Sequence, residues 1–205
     1  METTMTKRPH AAVSGHGLRR AKQQAGFSLL EVVIAGAILT IGLLAVLGLF
    51  GTALAATQSS QMDEIAHARA TQALESIYTA RQTNQLAWNS INNVGTITGG
   101  VNGIFNVGMI ALADPGIDGL DGTADDVTPP TPIILPGPDG KLNTSDDVTV
   151  SLAAFQRQIQ ISPALDPNTG APIPSLKQVV VTVQYPGARG APRPYTVQAL
   201  VSQYR

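Results

Sequence analysis

Two stretches of the sequence repeat one arrangement of aspartate, glycine and threonine. Residues 116–127 (GIDGLDGTADDV) align with residues 137–148 (GPDGKLNTSDDV), with seven of twelve positions identical and an offset of 21 residues. Calcium takes about six to eight oxygen ligands, which flexible loops rich in Asp and Gly can supply. The repeat therefore predicts a calcium site, and its candidate ligands are Asp118, Asp121, Asp125, Asp126, Asp139, Asp146 and Asp147.

The same pattern has a second interpretation that needs no metal. Aspartates in glycine-rich turns also accept hydrogen bonds from nearby backbone amides and then face water, as in Asx-turn hairpins. An EF-hand loop would need a glutamate at its twelfth position, where this chain has Val127 and Val148. The repeat is therefore not an EF-hand, and calcium loops and Asx-turn hairpins both remain open.

Another carboxylate, Glu31, stands at the start of an apolar segment. From Val32 to Phe50 there is no charged residue and the only hydroxyl is Thr40. A helix of this length spans about 28 Å, close to the hydrocarbon thickness of a bilayer. A carboxylate at the margin of such a span needs a partner or a polar interface.

Positive charges are distributed unevenly around this segment. Basic residues precede it, whereas Arg69 is the first basic residue that follows it; the preceding ones are Lys7, Arg8, Arg19, Arg20 and Lys22. The positive-inside rule therefore predicts a cytoplasmic N-terminus and export of the remaining chain.

The segment Gly26, Phe27-Ser28-Leu29-Leu30-Glu31 and the apolar run after it resemble the class III signal of type IV prepilins and type II secretion pseudopilins. The resemblance implies that prepilin peptidase cuts between Gly26 and Phe27 and methylates the new amine of Phe27. It also implies that Glu31 pairs with the terminal amine of a neighbouring subunit during assembly. Processing and assembly would then be chemically linked.

Two other interpretations of the N-terminus compete with this one. An ordinary secretory signal could end at Ala53-Leu54-Ala55, but its apolar region would be longer than the usual ~7–15 residues. A plain membrane anchor fits the hydropathy and leaves Gly26 and Glu31 unexplained.

The elements after the span predict an α+β fold. Ala53 to Arg81 lacks proline and glycine and keeps a helical spacing of apolar residues, so we expect the helix to continue. Alternating residues predict strands at 155–161, 179–185 and 195–201, in an antiparallel meander. The resemblance implies a pilin-like lollipop, in which a long N-terminal helix, membrane-spanning in its first half, packs on a small antiparallel sheet.

The chain also departs from the pattern of major pilins. It has no proline in the apolar half-helix, which instead contains Gly42, Gly48 and Gly51, and it has no cysteine for a C-terminal disulfide. Between Gly26 and Trp88 it is most similar to minor pilins of the type IV pilus modification protein class. We therefore expect a minor pilin, with a type II secretion minor pseudopilin or an anchored binding module with a calcium site as alternatives.

The predicted organisation has six parts: a leader (1–26), the membrane and fibre-core helix half (27–51), the exported amphipathic helix half (52–88), a connecting loop region (89–113), the duplicated loops (114–150) and the strands (151–205). After Gly26 there are 8 basic and 13 acidic residues, so direct binding of nucleic acid is not expected. Only His67 remains among the histidines and no nucleophile motif is found, so we expect no enzyme.

The resemblance also implies partners and a location. The expected partners are prepilin peptidase, other pilins or pseudopilins through the N-terminal helix, the inner-membrane assembly platform and the membrane itself. The expected location is the inner membrane, with one span and an exported C-terminal domain, followed by a pilus or periplasmic pseudopilus.

Overall fold

A computed structural model of the chain describes residues 26–187 and 190–204. The predicted leader before Gly26, with its basic residues, lies outside the described residues. By internal contacts the chain divides into two units, Met1–Gly48 and Leu49–Arg205.

The fold has one long helix followed by short and long strands. Their bounds are α1 (Leu29–Gln82), a 3₁₀ turn (Trp88–Ser90), β1 (Ile97–Thr98), β2 (Val101–Asn102), β3 (Ile110–Ala111), β4 (Ile133–Leu135), β5 (Val148–Val150), β6 (Gln156–Leu165), β7 (Pro172–Pro186) and β8 (Pro192–Ser202). The predicted α+β class, with a long N-terminal helix and antiparallel sheets, is confirmed.

Helix α1 continues without a break through Gly42, Gly48 and Gly51. Each glycine costs a helix about 1 kcal/mol relative to alanine, and a Cβ added at any of the three would meet no atom within 4 Å. These positions are therefore open on the helix surface. Nothing that packs against them requires a glycine there.

From Ser59 onward α1 has one buried face. Ile65, Ala66 and Ile77 are buried, and so are the small residues between and after them, Ala70, Ala73 and Ala80. Alanines at these positions let the helix backbone approach the sheet closely, while Ile77 supplies apolar volume. Truncating a fully buried isoleucine to alanine costs about 2–5 kcal/mol.

The main sheet has the strand order β3-β6-β7-β8, and all of its pairings are antiparallel. Odd-numbered residues of β7 from Val179 to Tyr185 are buried, and Ile159 and Val201 join them from the neighbouring strands. This face and α1 form the core with Phe105, Leu112, Leu152 and Phe155. The predicted meander is therefore confirmed, with β3 as an additional strand at one edge.

Two smaller sheets lie outside the main one. Strands β1 and β2 form a hairpin in the loop region, and β4 pairs with β5. The proline-rich segment 128–136 joins the two aspartate-rich stretches, and its residues Ile133–Leu135 form strand β4. Trp88 lies in the 3₁₀ turn and packs partly buried against the core.

Candidate functional site

The residues of the N-terminal signal lie around the start of α1. Gly26, Phe27 and Ser28 precede the helix, and the carbonyl of Ser28 accepts the hydrogen bond of the Val32 amide at 3.2 Å. Phe27 is 82% exposed and makes no part of the core. The Gly26–Phe27 bond therefore lies outside the helix and is exposed.

The glycine at position 26 has no packing reason in the folded chain. A Cβ added there would meet no atom within 4 Å. Packing among the described residues therefore leaves room for a larger side chain at position 26.

Glu31 lies in the first turn of α1 and is exposed. A carboxylate in the first turn interacts favourably with the positive end of the helix dipole and with its free amides. No ion pair to Glu31 is found among the described residues. Its carboxylate is thus available to a positive group from another molecule.

The helix after Glu31 is apolar on every side. From Leu29 to Phe50 its large side chains are exposed, and none of the most apolar 18-residue window of α1 is buried. The hydroxyl of Thr40 donates to the carbonyl of Gly36 at 2.8 Å, so its polar atom is satisfied within the helix. By length and composition this segment can cross a membrane.

Comparison with protein families gives one match. Residues 21–47 match the prokaryotic N-terminal methylation motif. The methylation motif covers Gly26, Phe27, Glu31 and most of the apolar run, which makes this a type IV prepilin-like signal. No curated protein and no solved structure matches the chain. The family match therefore covers the start of α1 and does not reach the strands.

Beyond the motif, the two aspartate-rich stretches fold into two loops of the same geometry. The first aspartate of each loop accepts the amide two residues on, Leu120 or Lys141, at 2.8 Å. The backbone amide of Asp118 or Asp139 donates to the first member of the Asp-Asp pair in the same loop, Asp125 or Asp146, at 3.2 Å.

The second member of each Asp-Asp pair also makes the same contact in both loops. Asp126 accepts the amide of Gly122 at 2.8 Å, and Asp147 accepts that of Asn143 at 2.7 Å. The loops are closed by equivalent pairs, Asp114 with Val127 and Leu135 with Val148.

Glycine is required at the start of each loop. A Cβ at Gly116 would lie 2.3 Å from the carbonyl oxygen of Asp125, and one at Gly137 would lie 2.2 Å from that of Asp146. Both contacts are with backbone, which cannot move aside as a flexible side chain would. The repeated glycine therefore lets two chain segments approach closely.

In each loop a threonine hydroxyl forms a hydrogen bond to an aspartate of the same loop. Thr123 donates to Asp125 at 2.8 Å and Thr144 donates to Asp146 at 2.7 Å. These hydrogen bonds, with those from backbone amides, hold the pKa of both aspartates below the ordinary value. The arrangement is that of the Asx-turn alternative.

Metal ligation needs carboxylates that converge on one point. Within 26–187 and 190–204, no group of three or more His, Asp or Glu side chains is placed to hold a metal ion. Asp118, Asp125 and Asp126 come together in the first loop and Asp139, Asp146 and Asp147 in the second, each engaged by amides or hydroxyls. Calcium binding stays a prediction.

Among the described residues, a buried cation holds the first loop and none holds the second. Arg157 of β6 is 2% exposed, and its two terminal nitrogens contact Asp121 at 2.5 Å and Asp126 at 2.9 Å. Burial raises the pKa of Asp121, although the Arg157 guanidinium opposes this. The second loop has Leu142 in place of Asp121, and that leucine is exposed. One copy is therefore anchored in the core and the other stands out from it.

A second buried cation fastens the loop region to the sheet. The ammonium of Lys177 in β7 donates to the carbonyls of Trp88 and Ile91 at 3.0 and 2.8 Å and to the Asn92 side chain at 3.1 Å. It also lies 4.6 Å from the centroid of the Trp88 ring. Burial lowers the pKa of Lys177 to about 8.

Sequence reasoning missed the roles of Arg157 and Lys177, although a signal was present. Arg157 alternates with Phe155 and Ile159, and Lys177 stands two residues before Val179, so both occupy inward positions of their strands. A charge at an inward position indicates a buried partner, which the sequence alone does not identify.

Proposed function

We propose that the chain is a structural, pilin-like subunit of a type IV filament, and more narrowly a minor pilin. One observation carries the proposal: the methylation motif coincides with an exposed apolar helix whose first turn contains Glu31. The motif is typical of structural subunits, not of enzymes. The described residues supply no feature that calls for catalysis.

In this proposal prepilin peptidase cuts after Gly26 and methylates Phe27. The absence of any packing reason for glycine at position 26 supports recognition by the peptidase. The new amine of one subunit then pairs with Glu31 of another, because a carboxylate entering an apolar fibre core needs a positive partner.

The apolar half of α1 first anchors the subunit in the inner membrane and later packs against other subunits. Exposed leucine, isoleucine and valine side chains on every side suit both environments, since neither offers water. The partners are then the peptidase, other pilins or pseudopilins, and the assembly platform. The C-terminal domain lies outside the cytoplasm, in the periplasm or on the pilus.

Two alternatives remain. One assigns the chain to a different filament, and the other assigns it to no filament. A minor pseudopilin of type II secretion would use the same Gly26, Phe27 and Glu31. A membrane-anchored binding module with a calcium site would use none of them, and would keep its leader.

The first test is the intact mass and N-terminal residue of the protein from native membranes. A chain that begins with methylated Phe27 supports the proposal. A chain that retains residues before Gly26 contradicts it and supports a simple anchor. A start near Thr57 contradicts it and supports an ordinary secretory signal.

The second test separates processing from assembly. Glu31→Gln removes the charge while keeping the size, so we expect cleavage to continue and the subunit to be lost from sheared filaments. Glu64→Gln, at an exposed acid later in α1, is the matched control and should assemble normally. Normal assembly of Glu31→Gln would contradict the assigned role.

A further inference from the structure

The outer face of the main sheet, on the side away from the core, carries no ionisable side chain. We define the glutamine face as the even-numbered residues of 156–162 in β6, 178–184 in β7 and 194–200 in β8. All of them are exposed or half-buried, whereas the odd-numbered neighbours such as Val179 and Val181 are buried. Glutamine, threonine and serine predominate among them. The face is therefore polar, open and uncharged.

The register aligns these side chains in rows across the strands. Gln158, Thr182 and Thr196 form the central row, because Gln158 pairs with Thr182 and Thr182 pairs with Thr196. The hydroxyls of Thr182 and Thr196 are 3.0 Å apart, and Gln178 donates to Gln198 at 3.1 Å. Contacts between neighbours restrict these side chains before any ligand arrives, which lowers the entropy cost of binding.

A shallow depression extends the face beyond β6. Its volume is about 210 Å³, and Gln158 and Gln160 line it together with Asn93 and Gly108. The Asn93 amide donates to the carbonyl of Ile159 at 2.7 Å, and its oxygen accepts the Ile161 amide at 2.9 Å. The Asn93 side chain thus forms two hydrogen bonds to the β6 backbone, as a neighbouring strand would, and these fix the wall of the depression to β6.

The chemistry of the face excludes several kinds of partner. Nucleic acids and anionic lipids bind to clusters of Lys and Arg, and the face has none. An apolar partner would bury side-chain amides without hydrogen bonds, which costs free energy. Amides and hydroxyls, which both donate and accept, instead match a ligand covered with neutral hydroxyl groups.

The size of the face argues against a second copy of this chain. Three strands spaced about 4.8 Å apart, each about 20 Å long here, give roughly 300 Å². A stable protein interface buries about 800 Å² per partner. A linear polymer can bind a surface of this size and continue beyond it.

We propose that the glutamine face binds a neutral polysaccharide chain. Gln158 and Gln160 contact the polymer at the depression, and Thr182 and Thr196 contact it at the centre. The proposal goes beyond the structural role above and does not depend on it. In a filament, repeated subunits would add their weak individual affinities.

The test uses the full chain in a detergent without a sugar headgroup, because glycosidic detergents would compete. The probes are microcrystalline cellulose, chitin and a panel of soluble neutral glucans and mannans, with alginate as an anionic control. We expect retention on at least one neutral polymer that persists in about 1 M NaCl, where charges are screened within about 3 Å.

Thr182→Glu places a charge in the central row and should lower the bound fraction roughly tenfold, through a lost hydrogen bond and an unpaired charge. Thr149→Glu, on an exposed strand residue of β5, is the matched control and should bind as the parent does. Trp88 fluorescence checks that each variant is folded.

Three outcomes overturn the proposal. The first is no binding to any neutral polymer, and the second is binding to alginate alone that salt abolishes. The third is concentration-dependent self-association in sedimentation velocity that Thr182→Glu removes, which would assign the face to a second copy of the chain.

Discussion

Replacing Arg157 with methionine should strongly destabilise the domain that α1 forms with the main sheet. Its guanidinium contacts Asp121 and Asp126, and the three side chains are 2–6% exposed. Methionine keeps much of the apolar volume but leaves two buried carboxylates without a cation. Removing one partner of a buried ion pair costs about 3–5 kcal/mol. For a domain of this size that corresponds to a fall in Tm of roughly 6–20 °C.

The second copy of the loop shows how to compensate for this loss. It carries Leu142 where the first copy carries Asp121, so Asp121→Leu converts the first loop to the sequence of the second. In Arg157→Met/Asp121→Leu the only carboxylate left without its cation is Asp126, which still accepts the amides of Gly122 and Thr123. We expect the double variant to recover about 2 kcal/mol or more of the loss.

The assay is urea unfolding of the full chain in detergent, followed by Trp88 fluorescence. The chain has a single tryptophan, and this residue lies at the edge of the core, so its signal reports on the unfolding of that core. A loss below about 1 kcal/mol for Arg157→Met would refute the reasoning. So would a double variant less stable than the single one, because the charge imbalance would then not be the cause.

Three further predictions concern Lys177, the loop glycines and the loop aspartates. Burial lowers the pKa of Lys177 to about 8, below its unfolded value of about 10.4, so the unfolded state binds more protons between these values. Stability should therefore rise between pH 8 and 10, by at most about 1.4 kcal/mol per pH unit, and urea titrations of Lys177→Met should lack this rise. Gly116→Ala should destabilise the domain more than Gly137→Ala, although a Cβ at either position would meet a backbone oxygen. The first loop is anchored in the core through Arg157, so strain in that loop is transmitted to the core. Thermal unfolding compares the two variants, and equal losses of stability would contradict this prediction. If the aspartates bind calcium, the Tm should rise when calcium is added and fall again when a chelator removes it. Asp139→Asn should then reduce that rise in Tm. If the loops are Asx turns alone, calcium titration leaves the Tm unchanged.

The long helix and the three long strands could be predicted because the apolar residues of each element recur with one regular spacing along the sequence. Apolar residues from Val32 to Phe50 predict a helix long enough to cross a membrane, and the continuation to Arg81 keeps a helical spacing. Alternation in β6, β7 and β8 places the odd residues inward by geometry alone. Such local patterns are independent of what the element packs against.

The loop region could not be predicted in the same way. The strands there are Ile97–Thr98 and Val101–Asn102, and two residues are too few to show an alternation in the sequence. These short strands depend on contacts with distant residues, such as the Lys177 ammonium that binds carbonyls at Trp88 and Ile91. The difference between the two aspartate loops likewise depends on Arg157, which comes from another part of the chain.

The exposed copy of the loop makes the chain convenient for site-specific labelling. Residues 137–147 connect β4 to β5, and Lys141 and Ser145 near their middle are exposed. The chain has no cysteine, so Ser145→Cys would introduce a unique thiol far along the sequence from the methylation motif. A fluorophore attached there would report where the subunit is located in living cells while leaving the apolar helix and the glutamine face unmodified.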